Sequence, residues 1–244
     1  MKLTKLFFAA FLLTGTVYAV AAPVHIEKIS VSDEVDRHLS GFHAVDVSGS
    51  FDVYITQGAT ESVRVKAPSE VMNRIITEVT GGVLKIYNKN ETFHWSDMFG
   101  GHRKVVIYVT ISNVDAVTLS GSGDVYFRDG LTATSLKLRV SGSGDMTGRI
   151  QAKTLDSSVT GSGDMTVTGS AGASSVDVVG SGDYRGRGLV TQSTSVVVTG
   201  SGDAAVNATD KVDASVHGSG DISYTGGAKH INTNKTGSGD ISRF

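Results

Sequence analysis

No cysteine occurs among the 244 residues. A disulfide framework, a thiolate metal site and a thiol nucleophile are therefore excluded. Proline is nearly absent as well, with only Pro23 and Pro68, which rules out a collagen-like or Pro-rich linker chain. Neither sign of charge dominates: 22 Lys and Arg face 24 Asp and Glu, a formal net charge of -2. A nucleic-acid-binding domain normally carries a basic footprint, so no nucleic-acid partner is expected. Aromatic residues make up 7%, with Trp95 the single tryptophan. No apolar run reaches the roughly 18 residues of a spanning helix, so no transmembrane segment is expected.

The one long apolar stretch reads as an address. Lys2 and Lys5 precede the run Leu6 to Leu13, and Ala19-Val20-Ala21 supplies a small-x-small cleavage site. Residues 1–21 are thus expected to be a secretory signal peptide. The run is too short to cross a bilayer. An exported chain follows, residing in the periplasm, on the outer-membrane surface or outside the cell. Residues 22–40 mix apolar side chains with Glu27, Lys28, Asp33, Glu34 and Asp36, as a cap would. Residues 41–244 read as a single domain.

Glycine is what the chain has in plenty, with 30 residues, and its placement is periodic. Gly-Ser-Gly-Asp begins at Gly121, Gly142, Gly161, Gly180, Gly200, Gly218 and Gly237, at intervals of 18 to 21 residues. A degenerate copy, Gly49-Ser50-Phe51-Asp52, comes earlier. Such a period marks a solenoid. Five residues before each Asp stand Leu119, Val140, Val159, Val178, Val198 and Val216, then Lys235. One residue after each Asp stand Val125, Met146, Met165, Tyr184, Ala204, Ile222 and Ile241. Their neighbours are mostly polar, so both flanks of the corner alternate with period two and form strands. Stacked about 4.8 Å apart, equivalent residues build internal ladders. The expected fold is an all-β, right-handed, three-sided parallel β-helix with rungs of about 19 residues and one short helix.

The corner has a physical reading of its own. Its glycines permit positive φ and leave no Cβ to strike the next rung. Ser and Asp can accept the exposed amides of the turn. A calcium row is the competing reading, because seven carboxylates would line one edge. Like charges at that spacing repel by only about 1 kcal/mol in water, whereas an amide bonded to a carboxylate contributes roughly 1.5–3 kcal/mol. Turn hydrogen bonds suffice, and no metal or cofactor is expected.

Short strand-like runs with turns at Gln57-Gly58 and Gly81-Gly82 fill the first half. Between them Ser69 to Val79 has apolar residues at 71, 72, 75, 76 and 79, which predicts a helix with Ser69 as N-cap. Residues 88–104 interrupt the pattern as an insertion loop.

Gly41-Phe42, Val47-Ser48-Gly49-Ser50-Phe51-Asp52-Val53-Tyr54-Ile55-Thr56-Gln57-Gly58 and Gly81-Gly82-Val83-Leu84-Lys85-Ile86, with the later corners, resemble the head GIN domain family. The resemblance covers about 41 to 244 and implies an exported, single-stranded β-helix of the auto-transporter adhesin kind. The repeats run to the final residues, so no C-terminal translocator barrel is expected.

Catalytic signatures are missing. The histidines at 25, 38, 43, 94, 102, 217 and 230 are scattered, without H-E-x-x-H spacing or a nucleophile elbow. No catalytic, cofactor or metal residue is assigned. Ligand or partner contact is placed on Phe93, His94, Trp95, Phe99, His102 and Arg103, where aromatics gather in the insertion. The expectation is a non-enzymatic scaffold, an adhesin or a surface or periplasmic binding protein. Its partner would be a glycan or a protein. The alternative is a carbohydrate-binding or carbohydrate-active β-helix that uses the 88–104 loop. Lys235 and Arg243 stand where earlier rungs place apolar residues, and inward charges blunt a sheet edge, so a monomer is expected.

Overall fold

The computed structural model describes residues 32–89 and 105–244. The chain runs β1 (Ser32–Asp36), β2 (Ala44–Gly49), β3 (Asp52–Gln57), β4 (Ser62–Pro68), α1 (Ser69–Met72), β5 (Ile75–Thr80), β6 (Val83–Asn88), β7 (Val106–Ile111) and β8 (Ala116–Gly121). Long strands follow, each carrying most of one turn: β9 (Asp124–Gly142), β10 (Asp145–Gly161), β11 (Met165–Gly180), β12 (Tyr184–Gly200) and β13 (Ala204–Gly218). The last are β14 (Ile222–Thr225), β15 (His230–Gly237) and β16 (Ile241–Arg243).

From β8 onward every pairing is parallel and joins one repeat to the next. Within β10 both ladders skip Lys153 and end at Gly161, and the ladder to β9 is also interrupted at Arg149. Three straight runs per turn result, 145–148, 150–152 and 154–161, so the solenoid has three faces. Val140, Val159 and Val178 are register partners, each at most 1% exposed, as the alternation around the corner requires. The same column contains Val47, Leu119, Val198 and Val216, all buried. Each apolar side chain is covered by its equivalents above and below, which is how a rung without a core of its own becomes stable.

The corners stack in one row, with Gly49 opposite Gly121, Gly121 opposite Gly142, and so on to Gly237. The first glycine of each corner has positive φ, for example +115° at Gly161. Its carbonyl accepts two amides from the following corner: Gly142 O receives Ser162 N–H at 2.8 Å and Gly163 N–H at 3.0 Å. The second glycine is required by contact instead. A Cβ on Gly163 would fall on the carbonyl oxygen of Gly144 one rung away.

The first half departs from a worn series of rungs in two ways. Its strands are not stacked in chain order. The β2–β3 corner lies between two others: β2 pairs with both β6 and β8, and β3 with both β7 and β9. Antiparallel strands then close this end of the solenoid, β4 on β7, β1 on β4, and β5 on β6. The predicted helix over Ser69 to Val79 is also shorter. Only Ser69–Met72 is helical, and Ile75–Thr80 forms β5. Ile75, Ile76, Thr77, Val79 and Thr80 are β-branched, and a hairpin at Gly81-Gly82, φ +60° and +78°, returns them onto β6. Ser69 caps no amide: Pro68 is the N-cap, and the Ser69 hydroxyl donates to Asp33 Oδ2 at 2.7 Å.

One polar cluster lies inside the bore. Tyr184 occupies the column of Met146 and Met165 and is 1% exposed, and Ser157 and Ser174 replace aliphatic residues in two other columns. Burial pushes the Tyr184 phenol up to about 12, while the two serine hydroxyls act in the opposite sense. They are near enough to act on it electrostatically, yet none of the three oxygens has a partner at hydrogen-bond distance.

Candidate functional site

The six residues expected to contact a ligand, Phe93, His94, Trp95, Phe99, His102 and Arg103, lie outside the described residues. Residues 1–21, expected to be a signal peptide, and residues 22–31 do too. The flanks of the insertion are described. Lys89 N–H donates to Arg74 O at 2.8 Å, and Val105 O accepts Asp52 N–H at 3.0 Å. Tyr87 pairs with Ser48 and Val106 with Asp52, so β6 ends and β7 begins on either side of the neighbouring rung's Gly49–Asp52 corner.

Immediately beyond that point the outer face carries an aromatic stack. Tyr108, Tyr54 and Tyr126 project from β7, β3 and β9 at one register position. The Tyr54 ring lies 5.6 Å from Tyr108 and 5.0 Å from Tyr126, with interplanar angles of 24° and 18°. The Arg64 guanidinium is 5.6 Å from the Tyr108 centroid, and Arg128 lies 4.7 Å from that of Tyr54. Such contacts hold a cation in place. Arg64 also pairs with Glu34 at 2.7 Å. Tyr126 donates to Asp124 Oδ2 at 3.1 Å, and burial together with the Asp124 charge pushes its phenol up to about 12. The rings face one another, so the stack offers solvent its edges and hydroxyls. Sequence alignment on the aspartates could have found Tyr54 and Tyr126, two residues after Asp52 and Asp124. Tyr108 follows no corner and gave no such signal.

The aspartate row is a second regular feature. Asp164 N–H donates to Asp145 Oδ1, Asp183 to Asp164, and Asp203 to Asp183, each at 2.9 Å. Asp221 and Asp240 continue the pattern at 2.8 and 2.7 Å. The amide that each carboxylate accepts is therefore in the next rung and not in its own turn. Arg185 bridges two members, 2.6 Å to Asp164 and 3.0 Å to Asp183, and its hydrogen bond to Asp164 raises its pKa. Among the described residues no three His, Asp or Glu converge as a metal site. His38, His43, His217 and His230 are all exposed and lie apart, His43 pairing with Asp115 at 3.0 Å.

Comparison with known proteins agrees with this architecture. The family described as "Putative auto-transporter adhesin, head GIN domain" matches residues 41–228. The chain belongs to the head GIN domain family. No curated protein matches it. Among solved structures this head GIN chain is similar to a putative adhesin from Bacteroides fragilis, with TM-score 0.80, 22% identity, and coverage of 88% of this chain and 97% of that one. A putative lipid binding protein from Parabacteroides distasonis gives 0.69 at 23% identity, covering 87% and 96%. A putative adhesin from Parabacteroides merdae gives 0.68 at 18%, again covering 87% and 96%. At these identities the likeness shows a shared fold. Among the described residues no helix is long and apolar enough to cross a membrane.

Proposed function

We propose that this head GIN protein is an exported, non-enzymatic adhesin, a rigid β-solenoid that holds a binding surface for a ligand at the cell envelope. The observation that carries the reading is how the polar side chains are used. Six amide-to-carboxylate bonds tie the aspartates of seven rungs into one row, and the exposed histidines stand apart, so the acids and bases of the described wall do not converge on a reacting centre. General acid–base chemistry needs such convergence within hydrogen-bond reach of one substrate atom. Extended flat faces suit recognition instead. The family description and the adhesin names of structural neighbours support the same reading.

The second reading, a carbohydrate-active β-helix acting through residues 88–104, draws on β7, the strand that follows that insertion, whose Tyr108 shares a register position with Tyr54 and Tyr126. A glycan array combined with turnover assays on polysaccharides separates the two. Binding without cleavage is the expected result, and sustained cleavage would overturn the adhesin reading.

A further inference from the structure

The face that begins each turn after the aspartate row has a composition unlike the rest of the surface. Two outward columns run along it. The first contains Arg64, Tyr108, Tyr54, Tyr126, Thr147, Thr166 and Arg185; the second contains Ser62, Thr110, Thr56 and Arg128 and resumes, beyond the break in the β9–β10 ladder, with Arg149 and Thr168. Between Arg64 and Arg185 no acid stands in either column; Asp36, the register partner of Arg64 on β1, closes the first. Arg187 follows on the same strand as Arg185 and stands over the Phe244 ring at 3.6 Å. A groove of about 480 Å³ continues the face between Thr166, Thr168, Arg185 and Arg187, with Asp183 and Asp203 also in its lining.

Three of the bounding acids are engaged at both oxygens, while Asp145 and Asp203 accept an amide on Oδ1 alone. Asp124 accepts from Tyr126, Asp164 and Asp183 hold Arg185, and the inner oxygen of each accepts an amide. Arg128 and Arg149 are the opposite case. Both are exposed, and neither has a carboxylate partner among the described residues, although Asp129 is next to Arg128 in the chain. Arg128 is fixed by its aromatic contacts, and the stem of Arg149 passes against Gly130 at the same corner. Exposed guanidinium groups without an acid partner are suited to bidentate capture of carboxylate or sulfate.

Resting on the adhesin reading, we infer that this face binds a linear acidic polysaccharide, with Arg128 and Arg149 as its central anion contacts and the tyrosine and threonine hydroxyls meeting sugar hydroxyls. A lipid surface fits less well. Among the described residues Val179, Val190, Ile231 and Phe244 are the exposed large apolar ones, and none stands in the two columns that would have to enter a bilayer.

The test uses the full exported chain with alginate as the polyuronate, dextran sulfate, neutral dextran, and vesicles of phosphatidylserine with phosphatidylcholine, measured by titration calorimetry. The expected result is salt-dependent binding of alginate or dextran sulfate and none of neutral dextran. Affinity should fall at least about ten-fold in Arg128→Ala with Arg149→Ala, and the double Lys variant should recover only part of it, since charge returns without the guanidinium fork. Arg139→Ala, on another face, should bind as the parent does, and circular dichroism should show all variants folded. Unchanged polyanion binding by the double Ala variant overturns the inference, as does binding to vesicles without binding to either polyanion. If the parent binds neutral glycans or proteins on an array but no polyanion, the acidic-polysaccharide inference fails while the adhesin reading stands. Cleavage of any probe would remove the adhesin reading itself.

Discussion

Asp164 accepts the backbone N–H of Asp183 on Oδ1 at 2.9 Å while its Oδ2 holds Arg185 at 2.6 Å. One side chain thus joins two successive turns through the main chain and the surface together. The same oxygen-to-amide bond recurs at each corner from Asp124 to Asp240, so the row acts as a seam parallel to the solenoid axis.

The seam can be tested at Asp145, which accepts Asp164 N–H at 2.9 Å and makes no arginine pair. Asp145→Ala should lower stability by about 1–3 kcal/mol, because an amide loses its acceptor. Asp145→Asn keeps an oxygen in place and should lose clearly less. Urea denaturation of the two variants beside the parent measures the difference. Equal losses would show that charge, and not the hydrogen bond, holds the seam.

The bore register makes a sharper contrast. Val159 is fully buried between Val140 and Val178, whereas Thr147 is exposed beside Tyr126 and Thr166. Val159→Asp should prevent folding or cost several kcal/mol, and Thr147→Asp should stay within about 0.5 kcal/mol of the parent. Thermal melts of both variants decide it.

Tyr184 gives a pH prediction. Its folded pKa is raised from 10.0 to about 12 by burial. The unfolded phenol therefore releases its proton first, and the folded state loses stability as pH rises from about 10 to about 12. Tyr184→Phe should lack that component of alkaline unfolding. At neutral pH it should match or exceed the parent within about 1 kcal/mol, since a hydroxyl without a partner is removed. Tyr184→Ala should cost about 3–5 kcal/mol. Chemical denaturation at pH 7 and pH 11 would show whether the Phe variant keeps the alkaline loss, which would locate that loss elsewhere.

At the far rung Lys235 takes the register of Val216 but stays exposed and reaches Asp240 at 3.5 Å, while Arg243 donates to Gly226 O at 2.9 Å. Both charges remain beside the open edge. We expect the chain to be a monomer in dilute solution and Lys235→Val with Arg243→Val to associate end to end. Light scattering that finds the double variant as monomeric as the parent would remove these residues as the protection.

The solenoid half was legible because its signal repeats. Val159, Met165 and Gly163 each have six equivalents at one offset, so their shared role could be read before any coordinates. The first half has no such redundancy. Ile75, Ile76 and Val79 match a helical spacing and a β-branched strand equally well, and the choice was made by β6, reached through the hairpin at Gly81-Gly82. Likewise nothing local in β2 says that it will lie between β6 and β8, partners 39 and 72 residues away at Ala44. The tyrosine stack depends on that non-sequential order, which brings Tyr108 beside Tyr54. The insertion contacts rested on composition, and their residues lie outside the described chain. Tyr184 with Ser157 and Ser174 was hidden for a different reason: a serine at an inward position looks like an outward one until the register is known.

The three-faced winding absorbs unequal repeat lengths. Intervals vary from 18 to 21 residues, yet the Gly–Asp row stays aligned because the pairing is interrupted only at the bends, as between Arg185 and Val190. A whole unit inserted or deleted between Gly121 and Gly237 would meet the same neighbours as before, and every remaining contact would keep its kind. Length is then quantised. Each unit moves the far rung by one strand spacing, about 4.8 Å, relative to the tyrosine end. The distance between the two extremities can therefore change by duplication of a unit, in steps of one strand spacing.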